Sequence, residues 1–324
     1  MDEINNKIKA SGWAERTIKS RLNFIKSLKA NIDPDSNNMT FLKNFAIVSK
    51  YILSTTKNPA TVKTKILTIK SILNLYDEKA ANKYEKLAHT VINNAEEYKG
   101  NNIAKSPNKV ISYEEMLEIP YLIEKEIKSI YDNLFLSTKE IDNLNNIKSK
   151  NKYFKLLTNY IISVLYCWEP PVRADWGVTI LKPSKTENWY SPNKGIIHWQ
   201  DFKNVRTFGS REFKLDPIIK DNVNEYISIL DYIFNESGKI PLRLLYMVGI
   251  KNYTEFTREK FSIYFTRLMK KYTNKDISIN SLRHTYENYI IKSPDYNKLT
   301  INDKKKIHER LLHNFSTAQE YLTV

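Results

Sequence analysis

The stretch NSLRHTYENYI at 280–290 is followed near the end of the chain by LLHNFSTAQEYL at 311–322. These segments contain a guanidinium, an imidazole and a phenol, at Arg283, His313 and Tyr321. Tyr321 follows His313 by eight residues. Eight residues of continuous helix turn through roughly 800°, so the two side chains would not stack on one face. The overlapping capping-box patterns STAQ and TAQE between them predict that a new short helix begins there and aims Tyr321.

Two further cationic candidates lie upstream. PPVR, ending at Arg173, follows a predicted amphipathic helix at Tyr153–Trp168 that Pro170-Pro171 ends. Lys203 lies in FKNVRTFG, between two predicted strands. Cutting a phosphodiester without a metal needs a nucleophile, cations for the non-bridging oxygens and an acid for the departing 5′-oxygen. Arginine forks, a lysine and a tyrosine phenol can supply these three functions.

The charge of the chain indicates its class of partner. The 324 residues include 51 Lys plus Arg and 36 Asp plus Glu, which gives a net charge of +15. This excess favours a polyanionic partner such as nucleic acid. The length predicts about two domains.

The sequence also argues against several classes of protein. Cys167 is the only cysteine, which excludes an intramolecular disulfide and a zinc site built on two or more thiolates. The five histidines show no tight metal-ligand spacing, and the seven glycines form neither GxxxxGK[ST] nor GxGxxG. Metal-free chemistry without a nucleotide cofactor is therefore expected. The charged N-terminus and the lack of a long apolar run argue against export and a membrane role, so an intracellular location is expected.

Apolar periodicity predicts a helical first domain over residues 1–100. Helical spacing covers Ala14–Lys29, a second helix begins at the cap candidate Thr40, and a third follows Asn58-Pro59. A fourth helix is predicted from about Ala80 to Tyr98. The polar segment that follows, rich in Asn, Lys, Gly and Pro, predicts a linker at 101–112.

The predicted second domain covers residues 113–324 and combines helices with a small sheet. Its three strand candidates, rich in β-branched and aromatic residues, are Trp176–Leu181, Gly195–Phe202 and Arg211–Leu215. The predicted fold class is therefore mainly α with a small antiparallel β-sheet (α+β).

The order Arg173, Lys203, Arg283, His313, Tyr321 resembles the tyrosine recombinase (phage integrase) family, whose catalytic fold is shared with type IB topoisomerases. The resemblance implies a helical DNA-clamp domain followed by a catalytic domain, with no metal or ATP. It implies Tyr321 as the nucleophile that forms a 3′-phosphotyrosine, and both arginines as ligands of the phosphate oxygens. It further implies Lys203 as the acid for the leaving oxygen and His313 as a phosphate ligand that assists the tyrosine.

The sequence departs from the family pattern at three points. Asn280 stands where the family usually has His or Lys, and it is interpreted either as a partner in catalysis or as an N-cap of the helix that carries Arg283. Asp175 follows Arg173 by two residues, whereas an acidic residue commonly follows by three. The chain ends three residues after Tyr321, so the expected dimer or tetramer on DNA uses another surface, or the sequence is truncated.

Basic side chains predict where double-stranded DNA binds. The candidates, each of which could instead belong to a solvated face, are Lys19, Lys63, Lys65, Lys70 and Arg206. The leading hypothesis is a site-specific recombinase or integrase of a virus or mobile element. It would act on DNA in the cytoplasm or nucleoid, or in an infected host cell. The alternatives are a type IB-like topoisomerase and a catalytically inactive DNA-binding protein of the same fold.

Overall fold

The computed structural model describes residues 2–35, 40–103, 107–144, 146–236, 238–250 and 252–312. The chain forms two compact units, Met1–Lys105 and Ser106–Val324. Across the described ranges it is mostly helical, with one three-stranded and one two-stranded antiparallel sheet. This is the mainly α architecture with a small antiparallel sheet that the sequence predicts. The DNA-clamp and catalytic roles given to the two domains stay predictions.

The first unit is helical throughout its described elements. It contains a 3₁₀ helix at Thr40–Lys43 and the helices α1 (Asp2–Lys9), α2 (Glu15–Ile32), α3 (Phe45–Thr55), α4 (Pro59–Leu73) and α5 (Glu78–Ile103). Helix α5 continues to Ile103, three residues into the segment 101–112 that is predicted as a linker, and the linker itself stays a prediction. A short 3₁₀ helix at Pro107–Lys109 then precedes the second unit's first α-helix.

Capping side chains fix where α3 and α4 begin. Thr40, predicted to cap the second helix, instead opens the 3₁₀ helix, and Asn44 caps α3 by accepting from the Ile47 amide. Asn58 caps α4 with Pro59 at its first position, as predicted. An apolar core fills the unit, and inside it the Tyr84 hydroxyl donates to the Leu42 carbonyl at 2.7 Å.

The second unit contains nine described α-helices and five described strands. The helices are α6 (Tyr113–Tyr131), α7 (Thr138–Asp142), α8 (Ile147–Cys167), α9 (Val205–Phe208), α10 (Pro217–Glu236), α11 (Arg258–Thr273), α12 (Ile279–Lys292), α13 (Pro294–Lys298) and α14 (Ile301–Arg310). The strands are β1 (Trp189–Ser191), β2 (Ile196–Trp199), β3 (Arg211–Lys214), β4 (Tyr246–Val248) and β5 (Tyr253–Glu255).

Helix α8 is the centre of this unit. The sequence predicts an amphipathic helix here, but every residue from Leu156 to Cys167 is buried. The amphipathic prediction is wrong because α6, α10 and β4 all pack against α8 and cover its polar side as well. Buried Thr158 and Ser163 hydrogen-bond to carbonyls of α8 itself, which makes their burial tolerable. The end of α8 leads directly into the segment that contains Arg173.

The larger sheet has the order β1-β2-β3, and both pairs are antiparallel. The second and third strand predictions contain β2 and β3, but the first, Trp176–Leu181, is wrong over its first half, and in its second half only Ile180 forms β-bridges, to Trp189 and Arg243. Trp176–Val178 forms a 3₁₀ helix, and the strand that pairs with β2 is Trp189–Ser191. The reason is packing, because the buried Trp176 ring meets Trp199 edge to face at 4.9 Å.

Candidate active site

Arg283 lies on the first turns of α12 and is 2% exposed. Its Nη1 atom donates to the Pro171 carbonyl at 2.8 Å and to the Leu311 carbonyl at 2.9 Å. Pro171 comes two residues before Arg173, and Leu311 two residues before His313. The guanidinium therefore joins three segments in which the sequence places catalytic candidates.

The start of α12 corrects one interpretation of Asn280. Ser278 is the N-cap, and its hydroxyl accepts from the Ser281 amide at 3.1 Å. Asn280 is not an N-cap, because it follows Ile279 inside the first turn of the helix, and its side chain is exposed. A role for Asn280 in catalysis stays a prediction.

Arg173 is half-buried, and its backbone is held by a hydrogen bond from α8. Its carbonyl accepts a hydrogen bond at 2.6 Å from the hydroxyl of Tyr166, a buried residue of α8. No side chain or carbonyl in the described ranges hydrogen-bonds to the Arg173 guanidinium. This arrangement leaves its donors for an anionic ligand, while the backbone that carries it is held in place.

Asp175, which follows Arg173 by two residues instead of the usual three, forms an ion pair with a residue of α11. Its carboxylate is buried, and its ion-pair partner is Arg258, with Nε 2.8 Å from Oδ1. Burial raises the pKa of Asp175, and the charges of Arg258 and Arg173 oppose that rise. Asp175 thus acts on Arg173 through charge and through the adjoining backbone.

Lys203 and Arg206 are both exposed on the connection between β2 and β3. This connection is longer than a hairpin turn and includes α9, which ends at Gly209 with φ of +68°. The segment between the two strands is therefore a loop with one helical turn, and it presents both cations to solvent.

The ion pair between Glu169 and Arg310 ties the end of α8 to the end of α14. Arg310 Nη2 lies 2.7 Å from the Glu169 carboxylate, whose other oxygen accepts from the Asp216 amide at 3.2 Å. Burial raises the pKa of Glu169, which Arg310 opposes. The Arg310 guanidinium also lies 5.9 Å above the Phe213 ring of β3. Strand β3 is thereby joined to the same region.

Helices α12, α13 and α14 share a buried cluster of polar side chains that was not predicted from the sequence. His308 Nδ1 lies 3.7 Å from the carboxylate of Glu287, and its Nε2 lies 2.7 Å from the Tyr296 hydroxyl. Glu287 and His308 are both fully buried. One signal was available, since Glu287 follows Arg283 by four residues and so shares its helix face.

Two of the predicted catalytic residues, His313 and Tyr321, lie outside the described residues. The described part of the chain ends just after α14, where Leu312 has a left-handed backbone with φ of +55°. Asn280, Arg173, Lys203 and Arg283 are the candidates whose positions are described.

The lysines predicted to bind DNA in the first unit differ in their surroundings. Lys19 is exposed on α2 and Lys63 is half-exposed on α4. Lys65 donates to the Thr56 hydroxyl at 2.7 Å, and Lys70 is ion-paired with Glu85. Lys19 is therefore the most accessible cation of this set, and the Lys70 charge is already partly compensated.

Comparison with known proteins gives a distant structural likeness. No family model matches the chain, and no curated protein matches it. Among solved structures the chain is similar to the crystal structure of XerA recombinase, at 16% identity and a TM-score of 0.35, covering 99% of this chain and 92% of that one. Likeness at this level assigns neither a family nor an activity.

In the described ranges, no group of three or more His, Cys, Asp or Glu side chains is arranged to hold a metal ion. None of the described helices combines the length and the apolar character that crossing a membrane requires.

Proposed function

We propose that the protein is a site-specific DNA recombinase or integrase that cleaves and rejoins double-stranded DNA through a covalent tyrosyl intermediate. The observation that carries the proposal is that the Arg283 guanidinium donates hydrogen bonds to the carbonyls of both Pro171 and Leu311. A phosphate site built from Arg173, Arg283 and His313 needs these segments to meet, although they are far apart in the chain. The geometry supports that requirement.

The proposed reaction begins at the phenol of Tyr321. Its oxygen attacks the phosphorus while its proton passes to His313, and the bond from phosphorus to the 5′-oxygen breaks. The ammonium of Lys203 gives a proton to that oxygen, which leaves as a hydroxyl. Arg173, with guanidinium donors that no described residue occupies, binds the non-bridging oxygens. Because the 3′-phosphotyrosine keeps the energy of the broken bond, rejoining needs no ATP.

DNA binding in this proposal rests on charge. The net charge of +15 and the exposed side chains of Lys19, Lys203 and Arg206 suit a phosphate backbone. Exchange of strands between two sites further requires that copies of the chain associate as a dimer or tetramer on DNA.

A catalytically inactive DNA-binding protein is the second candidate. One observation favours it, namely that the exposed Asn280 cannot titrate and so cannot supply the proton-transfer group usual at this position. The surviving order of two arginines, a lysine, a histidine and a tyrosine favours the enzyme.

The two candidates differ in whether DNA becomes covalently joined to the chain. The full chain is incubated in EDTA with nicked duplexes of randomised sequence. Cleavage near the nick releases a short strand that diffuses away, and because its 5′-hydroxyl is lost, rejoining is prevented. After denaturation, the DNA joined to protein is isolated and sequenced. We expect an adduct with the wild type and with Tyr121→Phe, a matched control at a tyrosine that is 54% exposed, and none with Tyr321→Phe.

The other outcomes each have a meaning. An adduct that persists in Tyr321→Phe places the nucleophile at another residue. Duplex binding without any adduct in the wild type favours the inactive binder. Relaxation of a plasmid that lacks the recovered sequence, without exchange between two copies of that sequence, makes the protein a topoisomerase.

A further inference from the structure

Arg258, the first residue of α11, bridges two loops that carry different catalytic candidates. Its Nε lies 2.8 Å from the Asp175 carboxylate, and its Nη1 lies 3.0 Å from the Asp201 carboxylate. Its Nη2 also donates to the Asp201 carbonyl at 2.6 Å. Asp175 comes two residues after Arg173, and Asp201 comes two residues before Lys203.

Both ends of this Asp175–Arg258–Asp201 bridge are anchored. On one side the Asp175 carbonyl accepts from the Thr179 hydroxyl at 3.1 Å within the buried 3₁₀ segment. On the other, buried Asn188 binds the Asp201 peptide from both directions, accepting from its amide and donating to its carbonyl, each at 2.8 Å. The guanidinium is thus the direct link between two ordered segments.

The chemistry of the bridge requires arginine. All three guanidinium nitrogens are used, on two carboxylates and one carbonyl that lie in different directions. A planar fork holds such partners in a fixed relative geometry, whereas an ammonium on a flexible stem does not. The Asp201 end of the bridge is exposed, where an ion pair contributes little to stability, so the bridge is better explained by the geometry that it imposes.

We propose that Arg258 is a positioning residue, which sets the Lys203 loop relative to Arg173 so that the lysine ammonium reaches the leaving 5′-oxygen. This inference rests on the proposed function, because it takes Lys203 as the acid and Arg173 as the phosphate ligand. Arg258 itself touches neither the phosphate nor the nucleophile.

A sulfur substrate separates positioning of the acid from general structural damage. In a duplex of the sequence recovered above, a sulfur atom replaces the bridging 5′-oxygen at the cleaved phosphate, so a phosphorus–sulfur bond breaks. A thiol has a pKa near 8.5, and a thiolate therefore leaves without being protonated. Loss of the acid slows cleavage of the oxygen substrate and spares the sulfur substrate.

We expect Arg258→Gln to cleave the oxygen substrate about 10²-fold more slowly than the wild type, because the acid is misplaced by an ångström or so. On the sulfur substrate we expect a loss of about tenfold or less, the same pattern that Lys203→Ala gives. Arg258→Lys, which keeps the charge and loses the fork, should lie between Arg258→Gln and the wild type. Asp201→Asn, which disturbs only the Lys203 side of the bridge, should show the same selectivity with a smaller loss.

The matched control is Lys150→Gln, which removes a cation that joins the carboxylates of Asp142 and Glu236. It should leave the ratio of the two rates unchanged. Hydrogen exchange gives an independent measurement. The amides of residues 200–204 should exchange faster in Arg258→Gln than in the wild type, and at the wild-type rate in Lys150→Gln.

The outcomes separate this inference from the proposed function. Suppose that the sulfur substrate rescues Lys203→Ala, while Arg258→Gln either slows cleavage of both substrates equally or slows neither. The positioning role is then wrong, and the proposed function stands. Unchanged hydrogen exchange at residues 200–204 in Arg258→Gln also overturns the positioning role. If the wild type cleaves neither substrate, or sulfur does not rescue Lys203→Ala, the assignment of Lys203 as the acid fails and the inference fails with it.

Discussion

The two compact units bury different kinds of side chain. Among the described residues of the first unit, the core is apolar apart from the hydroxyls of Ser49 and Tyr84, and no charged side chain is buried. Among the described residues of the second unit, four charged side chains and a histidine are buried, which are Glu169, Asp175, Arg283, Glu287 and His308. Desolvating such groups is costly and contributes little net stability even when they are paired.

This difference indicates where the chain keeps buried charges that contribute little to folding stability but fix the positions of neighbouring segments. The first unit demonstrates that a core of this size forms without buried charge. In the second unit, three of the buried charges, Glu169, Asp175 and Arg283, bind segments that adjoin Arg173, Lys203 or His313. We therefore interpret them as groups that hold the candidate active site in shape.

The largest expected effect comes from Arg283→Met. The carbonyls of Pro171 and Leu311 lose their donor, which should lower the free energy of unfolding by about 1–3 kcal/mol. Cleavage in the trapping assay should fall by about 10³-fold, as loss of a phosphate-binding arginine does in other phosphoryl transfers. The matched change in the first unit is Ile66→Val, which should cost about 1 kcal/mol and leave cleavage by folded, DNA-bound protein unchanged.

Urea unfolding and the trapping assay, applied to both variants, test this contrast. An Arg283→Met variant whose loss of cleavage is no larger than its loss of folded protein would contradict the idea that this buried charge serves the site. So would an Ile66→Val variant with an equal defect in cleavage.

A smaller effect is expected from pH, with opposite signs in the two units. Burial raises the pKa of Glu169, so its contribution to stability is full below the unfolded pKa of about 4.3 and is lost as pH rises through the folded pKa. The hydrogen bond from Lys70 lowers the pKa of Glu85, so that contribution is present above the unfolded pKa and is lost as pH falls.

The free energy of unfolding, measured against pH for the wild type, Glu169→Gln and Glu85→Gln, tests these signs. Relative to Glu169→Gln, the wild type should lose stability as pH rises from about 4. Relative to Glu85→Gln, it should gain stability as pH rises toward about 4.3, and the gain should be complete above that pH. Two differences of the same sign would show that burial does not separate these carboxylates.

The smallest effect is expected at single lysines of the first unit. Lys19→Gln should reduce the slope of log affinity for duplex DNA against log salt by about 0.9, because one phosphate contact is lost. Lys70→Gln should change the slope less, because Lys70 is already paired with Glu85. Fluorescence anisotropy with a labelled duplex measures both slopes, and equal slopes for the two variants would remove the distinction between exposed and paired lysines.

Local signals predicted much of the helical framework. The start of α4 is determined by two adjacent residues, Asn58 as the N-cap and Pro59 at the first helical position, so it can be recognised from the local sequence alone. The start of α3 was misjudged because Thr40 and Asn44 are both good caps, and the choice between them depends on how Phe41 and Leu42 are buried. Short-range chemistry therefore gives the elements, and packing decides between neighbouring boundaries.

Long-range contacts explain what the sequence did not predict in the second unit. Trp176–Leu181 has the composition of a strand, yet its first half, Trp176–Val178, forms a 3₁₀ turn because Trp176 packs on Trp199 and Gly177 lies against Phe261. Arg258 and Asp175 are 83 residues apart, and no periodicity relates them. The candidate residues could be listed from the sequence, but the groups that hold them could not.

The close approach of Gly177 to Phe261 has a consequence of its own. Any side chain at position 177 would overlap the Phe261 ring, which stands on the first turn of α11 just after Arg258. A single added methyl group would then shift that turn and the Arg258 guanidinium with it, although no charged residue had been replaced. Glycine at this position therefore allows the close packing that fixes where Arg258 lies between the loops that carry Arg173 and Lys203.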